Sequence, residues 1–339
     1  DIDTAIDLPT KSLASNNNSD DNESSENVEL EFMCLKALQP TRPPIILLHG
    51  LLGQKRNFAT LGSTLACNLD YTRDIYAVDL RNHGDNDPND WRQSMTYSDM
   101  ANDVIGFMDQ HSIQEAVLVG HSMGGKLAAS ISLSHSNRVA GLIVLDIAPV
   151  QYTLKDDAWR EVQDIVDTLG AVDLKRNGGM TKKDLEIDLR DRVDDPSIRE
   201  YIVGAVENVR DVRVNIAVTT EEEKEHYNQL RWRINVPAII DQMEVLAGFD
   251  IHGIGNGYGC YNEDICIDIQ QEVHMKVQYD GDALFINSPS SNYIRGSHMP
   301  IIQRYFPNFM VTTIHGVGHT MHHEDPEATV ALMKKYLDR

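Results

Sequence analysis

Short apolar runs alternate with helical patterns along the first half of the chain. The runs occupy residues 43–50, 74–84, 115–121 and 139–149, and an alternating segment at 28–38 precedes them. Between the runs, apolar residues recur at the spacing of a helix that buries one face. Strands that are apolar on both sides are buried on both faces of a sheet, as in parallel sheets whose strands are joined by helices. The pattern therefore predicts an α/β fold with a mostly parallel sheet.

The pattern changes at residue 150. Residues 151–249 are highly charged and mostly helical in pattern, and no apolar strand interrupts them. The alternation of strand and helix returns at 283–288 and continues through 309–316 to a last helix at 326–338. Helices inserted between two strands of one sheet predict a cap over the carboxyl edge of the sheet, where open α/β sheets bind their ligands.

These patterns divide the chain into four parts. Residues 1–27 are polar and acidic without periodicity, which predicts a disordered leader. Two core parts, at 28–150 and 276–339, flank a predicted helical cap at 151–275. The end of the cap, near 250–275, is rich in glycine and acidic residues and predicts a loop or hairpin.

Composition narrows the choice of partners. The chain has 52 acidic and 30 basic residues, a formal net charge of −22. Such a charge disfavours nucleic acid and anionic membrane surfaces. The longest apolar runs are far shorter than the roughly 20 residues of a membrane helix. We therefore expect a soluble protein with a small-molecule partner, without nucleic acid and without stable membrane insertion; the sequence sets no oligomeric state.

The four cysteines have no spacing typical of a zinc site. Cys260 and Cys266 are close enough in sequence to pair if residues 255–270 form a hairpin, and the alternative is two free thiols. The other two, Cys34 and Cys67, lie far from them in the chain.

The sequence GHSMG at 120–124 matches G-x-S-x-G between a predicted strand and a predicted helix. In that context the serine lies on a tight, strained turn that exposes its hydroxyl above the sheet. Gly120 and Gly124 are needed because neighbouring backbone passes close to them. The alternative is a glycine-rich turn with an N-capping serine. The flanking elements favour Ser122 as a nucleophile.

A serine nucleophile needs a base, and the segment at 315–326 contains four histidines. His319 is the predicted base, because it lies in a short glycine-rich loop directly after a predicted strand. His315 is predicted to lie within that strand. His322 and His323 adjoin an acidic helix start, which favours a surface or capping role.

The predicted acid is Asp146, at the carboxyl end of the strand beside the serine strand. A carboxylate there is expected to accept the imidazole N–H of His319, fix its tautomer and stabilise the imidazolium. The segment at 283–293, after the cap, offers no carboxylate. The alternative for Asp146 is a loop-capping role. Asp250 and Asp282 are weaker rivals, because neither directly follows a strand end.

Two backbone N–H groups are predicted to form an oxyanion hole. One belongs to Met123, the residue after the nucleophile. The other belongs to Leu51, in the tight HGLLG loop at 49–53. A plain turn is the alternative for these glycines and is compatible with the functional role.

Six motifs together resemble a known family. They are HGLLG, VDLRNHG, GHSMGGK, LDIAPV, RWRIN and GVGH. The chain resembles the α/β-hydrolase domain-containing protein 11 branch and its bacterial esterase relatives over about residues 30–338. The resemblance implies an α/β-hydrolase fold: a mostly parallel central sheet flanked by helices, with a helical cap inserted after the sixth strand.

The resemblance also implies a serine hydrolase of acyl esters or thioesters, without a metal or organic cofactor and with its acid on the earlier strand, in agreement with Asp146. Trp232 and Asn235 match RWRIN and are candidates for lining the acyl pocket; alternatively, Trp232 packs the cap onto the sheet. Lys126 matches GHSMGGK, and its alternative is a solvated helix position. His49 and His121, within the motifs, are further candidate substrate-binding residues. The resemblance implies a mitochondrial or cytoplasmic location, because eukaryotic relatives are typically mitochondrial and bacterial ones cytoplasmic.

The function predicted from the sequence is serine esterase or thioesterase activity through an acyl-enzyme on Ser122. Acyl transfer is an alternative, because it uses the same three side chains and differs only in the acceptor. A non-catalytic binding protein on a hydrolase scaffold is the third possibility, and the complete Ser, His and Asp set argues against it.

Overall fold

The structure is a computed structural model that describes residues 27–176, 179–208, 230–249 and 277–339. The predicted leader, the glycine-rich segment near 250–275 and the pair Cys260 and Cys266 lie outside the described residues, apart from Asn27. Cys34 and Cys67 are free thiols, and burial raises the pKa of Cys34 to about 11.

The described residues form a seven-stranded sheet and a separate hairpin. The strands in chain order are β1 Phe32–Leu35, β2 Ile45–Leu48, β3 Ile75–Val78, β4 Ala116–His121, β5 Val139–Leu145, β6 Val206–Asn208, β7 Leu230–Trp232, β8 Ala283–Asn287 and β9 Phe309–Thr313. The sheet has the order β1-β3-β2-β4-β5-β8-β9, and β6 pairs with β7. All neighbours in the sheet are parallel except β1 and β3.

The sheet is mostly parallel, as predicted, because its central strands are apolar along their whole length. Every residue of β2, β3 and β4 is buried, as the runs IILL, IYAV and AVLVGH predicted. β1 and β9, at the two edges, are only partly buried. Burying both faces of a strand requires helices on both sides of the sheet.

Helices cover both faces. Those of the core are α1 Ala59–Asn68, α2 Tyr97–Gln110 and α3 Met123–Ser134 before the cap, and α9 Met299–Tyr305, α10 Met321–Glu324 and α11 Pro326–Leu337 after it. α1 and α11 pack together with one face of the sheet through Leu61, Leu65 and Met333. α2 and α3 pack on the opposite face through Val104 and Leu127.

The cap joins β5 to β8, which are neighbours in the sheet. It contains α4 Asp157–Gly170, α5 Lys182–Arg190, α6 Pro196–Gly204, the β6–β7 hairpin, α7 Val236–Asp241 and α8 Met243–Ala247. Among the described residues it therefore follows the fifth strand, whereas the resemblance implied the sixth. The hairpin corrects the expectation of a cap without strands, since runs of three residues carry no clear alternation.

The carboxyl ends of the parallel strands lie along one edge of the sheet. The residues that follow β2, β4, β5, β8 and β9 therefore meet there, although they are distant in sequence. In the part of the chain that the structure describes, no helix is long and apolar enough to cross a membrane.

Candidate active site

Ser122 lies on the sharp turn between β4 and α3. Its backbone has φ 53° and ψ −121°, a region that side chains rarely adopt. A Cβ added to Gly120 would lie 2.0 Å from the carbonyl oxygen of Gly124, and one added to Gly124 would lie 2.1 Å from that of Leu48. Only glycine fits at these positions, so the turn has the strand-to-helix geometry of the elbow that the motif predicts.

His319 and Asp146 form a hydrogen-bonded pair. His319 Nδ1 lies 2.9 Å from Asp146 Oδ2. The carboxyl group is fully buried, and its second oxygen, Oδ1, accepts the Ser288 backbone N–H at 2.8 Å. The structure thus brings the predicted acid and base together. Asp282 is exposed, and Asp250 lies outside the described residues.

The pair fixes the His319 tautomer. A carboxylate accepts hydrogen bonds, so Nδ1 carries the proton and Nε2 keeps a lone pair for a serine hydroxyl. The imidazole stacks on the Tyr293 ring, with centroids 4.0 Å apart and planes at 24°. The carbonyl oxygen of His319 accepts a hydrogen bond from His121 Nε2 at 2.9 Å. Both the ring and the backbone of His319 are therefore held.

The predicted oxyanion donors lie on two segments that meet at Ser122. Met123 is the first residue of α3, so its N–H has no partner within the helix. A Cβ on Gly50 would lie 3.2 Å from the Ser122 Cβ, which shows that the loop carrying Leu51 packs against Ser122. The Tyr201 hydroxyl, from the cap, donates to the Leu51 carbonyl at 3.0 Å.

Two buried histidines form hydrogen bonds that hold the loop carrying Leu51. His49 Nε2 accepts the Leu80 N–H at 3.0 Å, and its Nδ1 donates to the Gly50 carbonyl at 2.8 Å. His83 Nε2 accepts the Leu52 N–H at 3.2 Å. Burial lowers the pKa of His49 to about 4 and that of His83 to about 3, so both are neutral at pH 7. His49 has neither ring nitrogen left for a substrate.

His121 is also buried, and burial lowers its pKa well below the usual value. Its ring lies 4.6 Å from that of His319 and 4.3 Å from that of His322. Because its Nε2 donates to the His319 carbonyl, His121 holds the backbone of the loop that carries His319. His322 is buried too, which differs from the surface or capping role that its acidic neighbours favoured.

The two residues predicted from RWRIN lie in and after the cap hairpin. Trp232 pairs with Val206 and is partly buried against the main core cluster, in line with the packing alternative. The Asn235 side chain accepts the Ala238 N–H as the N-cap of α7 and donates to Asn82 Oδ1 at 3.3 Å. The Asn235 amide therefore hydrogen-bonds to other groups of the protein, whereas the resemblance made it a candidate for lining the acyl pocket.

Lys126 differs most from expectation. Only 1% of the residue is exposed, although a solvated helix position was the alternative considered. Its ammonium donates to the carbonyl oxygens of Ala247 at 2.7 Å and Gly248 at 2.8 Å. The signal in the sequence is that Lys126 stands alone among small and apolar residues at 123–133, all of which are buried.

Ser288 and Tyr293 also contribute to the site without having been predicted. Both lie in the segment after β8 that was set aside because it has no carboxylate. Ser288 binds Asp146 and donates its hydroxyl to the Val317 carbonyl at 2.6 Å. Their position just after a strand of the sheet was the available signal.

Within the described ranges, no group of three or more His, Cys, Asp or Glu side chains is arranged to hold a metal ion. The chemistry that the arrangement offers rests on a partly exposed serine, an oriented imidazole, a buried carboxylate and two backbone donors. Such a set can transfer an acyl group by way of a covalent intermediate.

Comparisons with known proteins agree with the fold. Residues 43–326 match the model of a family described as alpha/beta hydrolase fold. The chain is 28% identical to the sn-1-specific diacylglycerol lipase ABHD11 of Danio rerio, over 84% of this chain and 74% of that protein. It is 26% identical to the esterase YbfF of Escherichia coli, over 88% of this chain and 95% of that protein.

Among solved structures, the fold is similar to that of a marine microorganism esterase. The TM-score is 0.73 at 25% sequence identity, and the match covers 91% of this chain and all of the other. These matches confirm both the fold and the resemblance that the motifs indicated.

Proposed function

We propose, since this chain belongs to the α/β-hydrolase family, that it is a serine hydrolase that cleaves carboxylic esters or acyl thioesters through an acyl-enzyme on Ser122. The observation that carries the proposal is the buried carboxylate of Asp146, 2.9 Å from His319 Nδ1, at the strand edge that also presents the strained Ser122. The esterase and lipase relatives support the same reaction class.

In the first step, His319 Nε2 removes the hydroxyl proton of Ser122 as Oγ attacks the acyl carbonyl carbon. The carbonyl oxygen becomes an oxyanion between the N–H groups of Leu51 and Met123. A preorganised donor of this kind contributes roughly 100- to 1,000-fold to kcat. The imidazolium that forms on His319 is stabilised by Asp146, whose charge is shielded from solvent.

In the second step, the imidazolium returns its proton to the leaving alcohol or thiol, and the carbonyl reforms as the acyl ester of Ser122. Water then enters, His319 removes one of its protons, and the oxygen attacks the acyl-enzyme. Collapse of the second tetrahedral intermediate releases the acid and restores the Ser122 hydroxyl. The same series of steps with an alcohol in place of water is acyl transfer.

The test is a set of initial-rate measurements on esters and acyl thioesters of increasing chain length, with Ser122→Ala as the blank. We expect turnover that peaks at one chain length and falls by at least about a thousandfold in the blank. Adding an acceptor alcohol and measuring the ester product separates hydrolysis from acyl transfer. Folded protein that is inactive on every substrate, or equal rates in Ser122→Ala, would refute the proposal.

A further inference from the structure

Lys126 is a buried basic residue of the helix that follows Ser122, and burial lowers the pKa of its amine well below the usual value. It lies four residues after Ser122, and no carboxylate of the described residues pairs with it. Its ammonium lies 4.7 Å from the centre of the Tyr152 ring and 5.9 Å from those of Tyr97 and Trp159. Taking an ammonium out of water costs several kcal/mol unless it finds strong partners, so an apolar side chain would fill this space at lower cost.

The partners of Lys126 are the carbonyl groups at the end of α8. Ala247 and Gly248 accept at 2.7 and 2.8 Å, and Leu246 accepts at 3.4 Å. The last carbonyl groups of a helix accept no hydrogen bond within the helix, so a basic side chain that donates to them is favourable. Lys126 therefore fastens the last turn of α8 to the helix that carries Ser122.

Tyr152 continues the connection from the cap to the acid. Its backbone N–H donates to the same Ala247 carbonyl at 2.9 Å. Its hydroxyl accepts the N–H of Ala148, two residues beyond Asp146, at 3.1 Å, and donates to the Tyr293 carbonyl at 2.6 Å. The Tyr152 hydroxyl thus links the loop that follows Asp146 to the loop that carries Tyr293.

Tyr293 completes the connection to the base. Its ring stacks on His319, and its hydroxyl donates to the Ala158 carbonyl of α4 at 3.1 Å. A series of contacts therefore runs from the end of α8 to the His319 imidazole. The three buried side chains in this series, Lys126, Tyr152 and Tyr293, are each less than 10% exposed.

We propose that Lys126 is a positioning residue that couples the seating of the cap to the orientation of His319, through Tyr152 and Tyr293. The inference rests on the proposed function of Ser122 and His319. A change of about 1 Å in a catalytic group can cost about 100-fold in rate. Loss of the Lys126 contacts should therefore slow the chemical step and not only weaken substrate binding.

The experiment follows phosphonylation of Ser122 by a short-chain alkyl fluorophosphonate, which makes few demands on an acyl pocket. Ser122 Oγ forms a bond to phosphorus, fluoride leaves, and His319 takes the hydroxyl proton. The variants are Lys126→Met, which keeps an apolar stem without donors, and Tyr152→Phe, which removes only the phenol oxygen. Tyr97→Phe is the matched control, because that hydroxyl donates to the Leu246 carbonyl at 2.9 Å but does not reach Tyr293.

We expect Lys126→Met and Tyr152→Phe to react roughly 10- to 100-fold more slowly than the unmodified protein, and Tyr97→Phe to react within about threefold of it. The double variant Lys126→Met/Tyr152→Phe should be no slower than the slower single variant, because both changes break one connected series. Folding is followed by circular dichroism and thermal unfolding, so that rates are compared between folded proteins.

Any of the following results would overturn the inference. They are an unchanged rate in folded Lys126→Met, an unchanged rate in Tyr152→Phe, and losses that multiply in the double variant. Equal slowing by Tyr97→Phe would assign the effect to cap stability and would also overturn it. If the unmodified, folded protein does not react with the probe at all, the proposed function of Ser122 fails instead.

Discussion

At the scale of single residues, the two oxygens of Asp146 have different partners. Oδ2 faces His319 Nδ1 at 2.9 Å, and Oδ1 accepts the Ser288 N–H at 2.8 Å. Both partners donate, so the site requires two acceptors. A carboxylate meets this demand and a carboxamide cannot, because one of its two polar atoms is a donor.

Asp146→Asn should therefore lower kcat by about 10,000-fold. The amide oxygen satisfies the Ser288 N–H, which turns the amide nitrogen toward His319. Nδ1 must then accept, the proton moves to Nε2, and no lone pair remains to receive the Ser122 proton. The measurement is kcat on the preferred substrate, together with thermal unfolding to verify the fold.

Asp282→Asn is the matched control for this change. Asp282 is the rival acid within the described residues, and its side chain is exposed. Its amide variant should keep kcat within about twofold. Full activity in Asp146→Asn, or a large loss in Asp282→Asn, would place the acid elsewhere.

The buried imidazole of His83 makes stability depend on pH. Burial lowers its pKa to about 3, whereas a histidine in the unfolded chain has a pKa of about 6.5. Between these values the unfolded state binds one proton more than the folded state. The free energy of unfolding should therefore fall as the pH is lowered below 6.5, by about 1 kcal/mol per pH unit for this residue.

His83→Gln should reduce that pH slope by about 1 kcal/mol per unit between pH 6.5 and 5. Urea unfolding at three pH values measures the slope for each protein. His315→Gln is the matched control for the substitution itself, because His315 is exposed. Identical slopes in His83→Gln and the unmodified protein would contradict the assignment of a buried neutral imidazole.

At the scale of elements, the entry to α3 depends on close contact between β2 and the nucleophile turn. A Cβ on Gly124 would lie 2.1 Å from the Leu48 carbonyl oxygen and 2.6 Å from that of His49. Backbone atoms of a central strand cannot move aside without disturbing the sheet. The turn therefore tolerates no side chain at this position.

Gly124→Ala should lower the free energy of unfolding by about 3 kcal/mol, the upper part of the range for overpacking, and should also lower kcat because Met123 and Leu51 are displaced relative to each other. Gly204→Ala, at the end of α6, is the matched control, because nothing lies within 4 Å of the added Cβ. It should change stability by less than about 0.5 kcal/mol. Equal stability of the two variants in urea would contradict the close packing of the elbow.

The elements differ in how much the sequence predicted. The strained turn at Ser122 and the contact between Asp146 and His319 were predictable, because each follows from a local demand: a tight turn or the end of an apolar strand. Lys126 was not predictable in the same way, because helical spacing does not say that the end of a cap more than 100 residues later covers that position. The β6–β7 hairpin was missed because its strands have three residues each.

The same reasoning explains His49 and Asn235, whose motif positions suggested contact with substrate. Their side chains bind backbone and side-chain groups that lie 31 and 153 residues away in sequence. Such partners depend on the tertiary fold. A motif identifies that a polar residue is needed, and the structure shows which groups it serves.

At the scale of the whole molecule, a polar seam joins the cap to the core. Arg233, after the cap hairpin, forms ion pairs with Asp85 of the core and Glu207 of the cap. The Asn235 backbone N–H donates to the Asn82 carbonyl at 2.9 Å. Asn82 in turn exchanges hydrogen bonds with Arg92 through both polar atoms of its side chain. The seam thus combines charge pairs with amide contacts.

Asn235 forms the N-cap of α7 and the seam contact with different side-chain atoms, so substitutions can separate the two contributions. Asn235→Asp keeps the oxygen that caps α7 but places a carboxylate oxygen where the amide nitrogen lies 3.3 Å from Asn82 Oδ1. Two acceptors then face each other across the seam. We expect Asn235→Ala to lower the free energy of unfolding by about 1 kcal/mol through loss of the N-cap.

If the seam contributes to the seating of the cap, Asn235→Asp should be at least as destabilising as Asn235→Ala, although it retains the better N-cap. Its KM should also rise, because a displaced cap binds substrate less well. Urea unfolding and steady-state kinetics on the same two variants measure both effects. Stability of Asn235→Asp equal to that of the unmodified protein would show that the residue acts only as a local cap of α7.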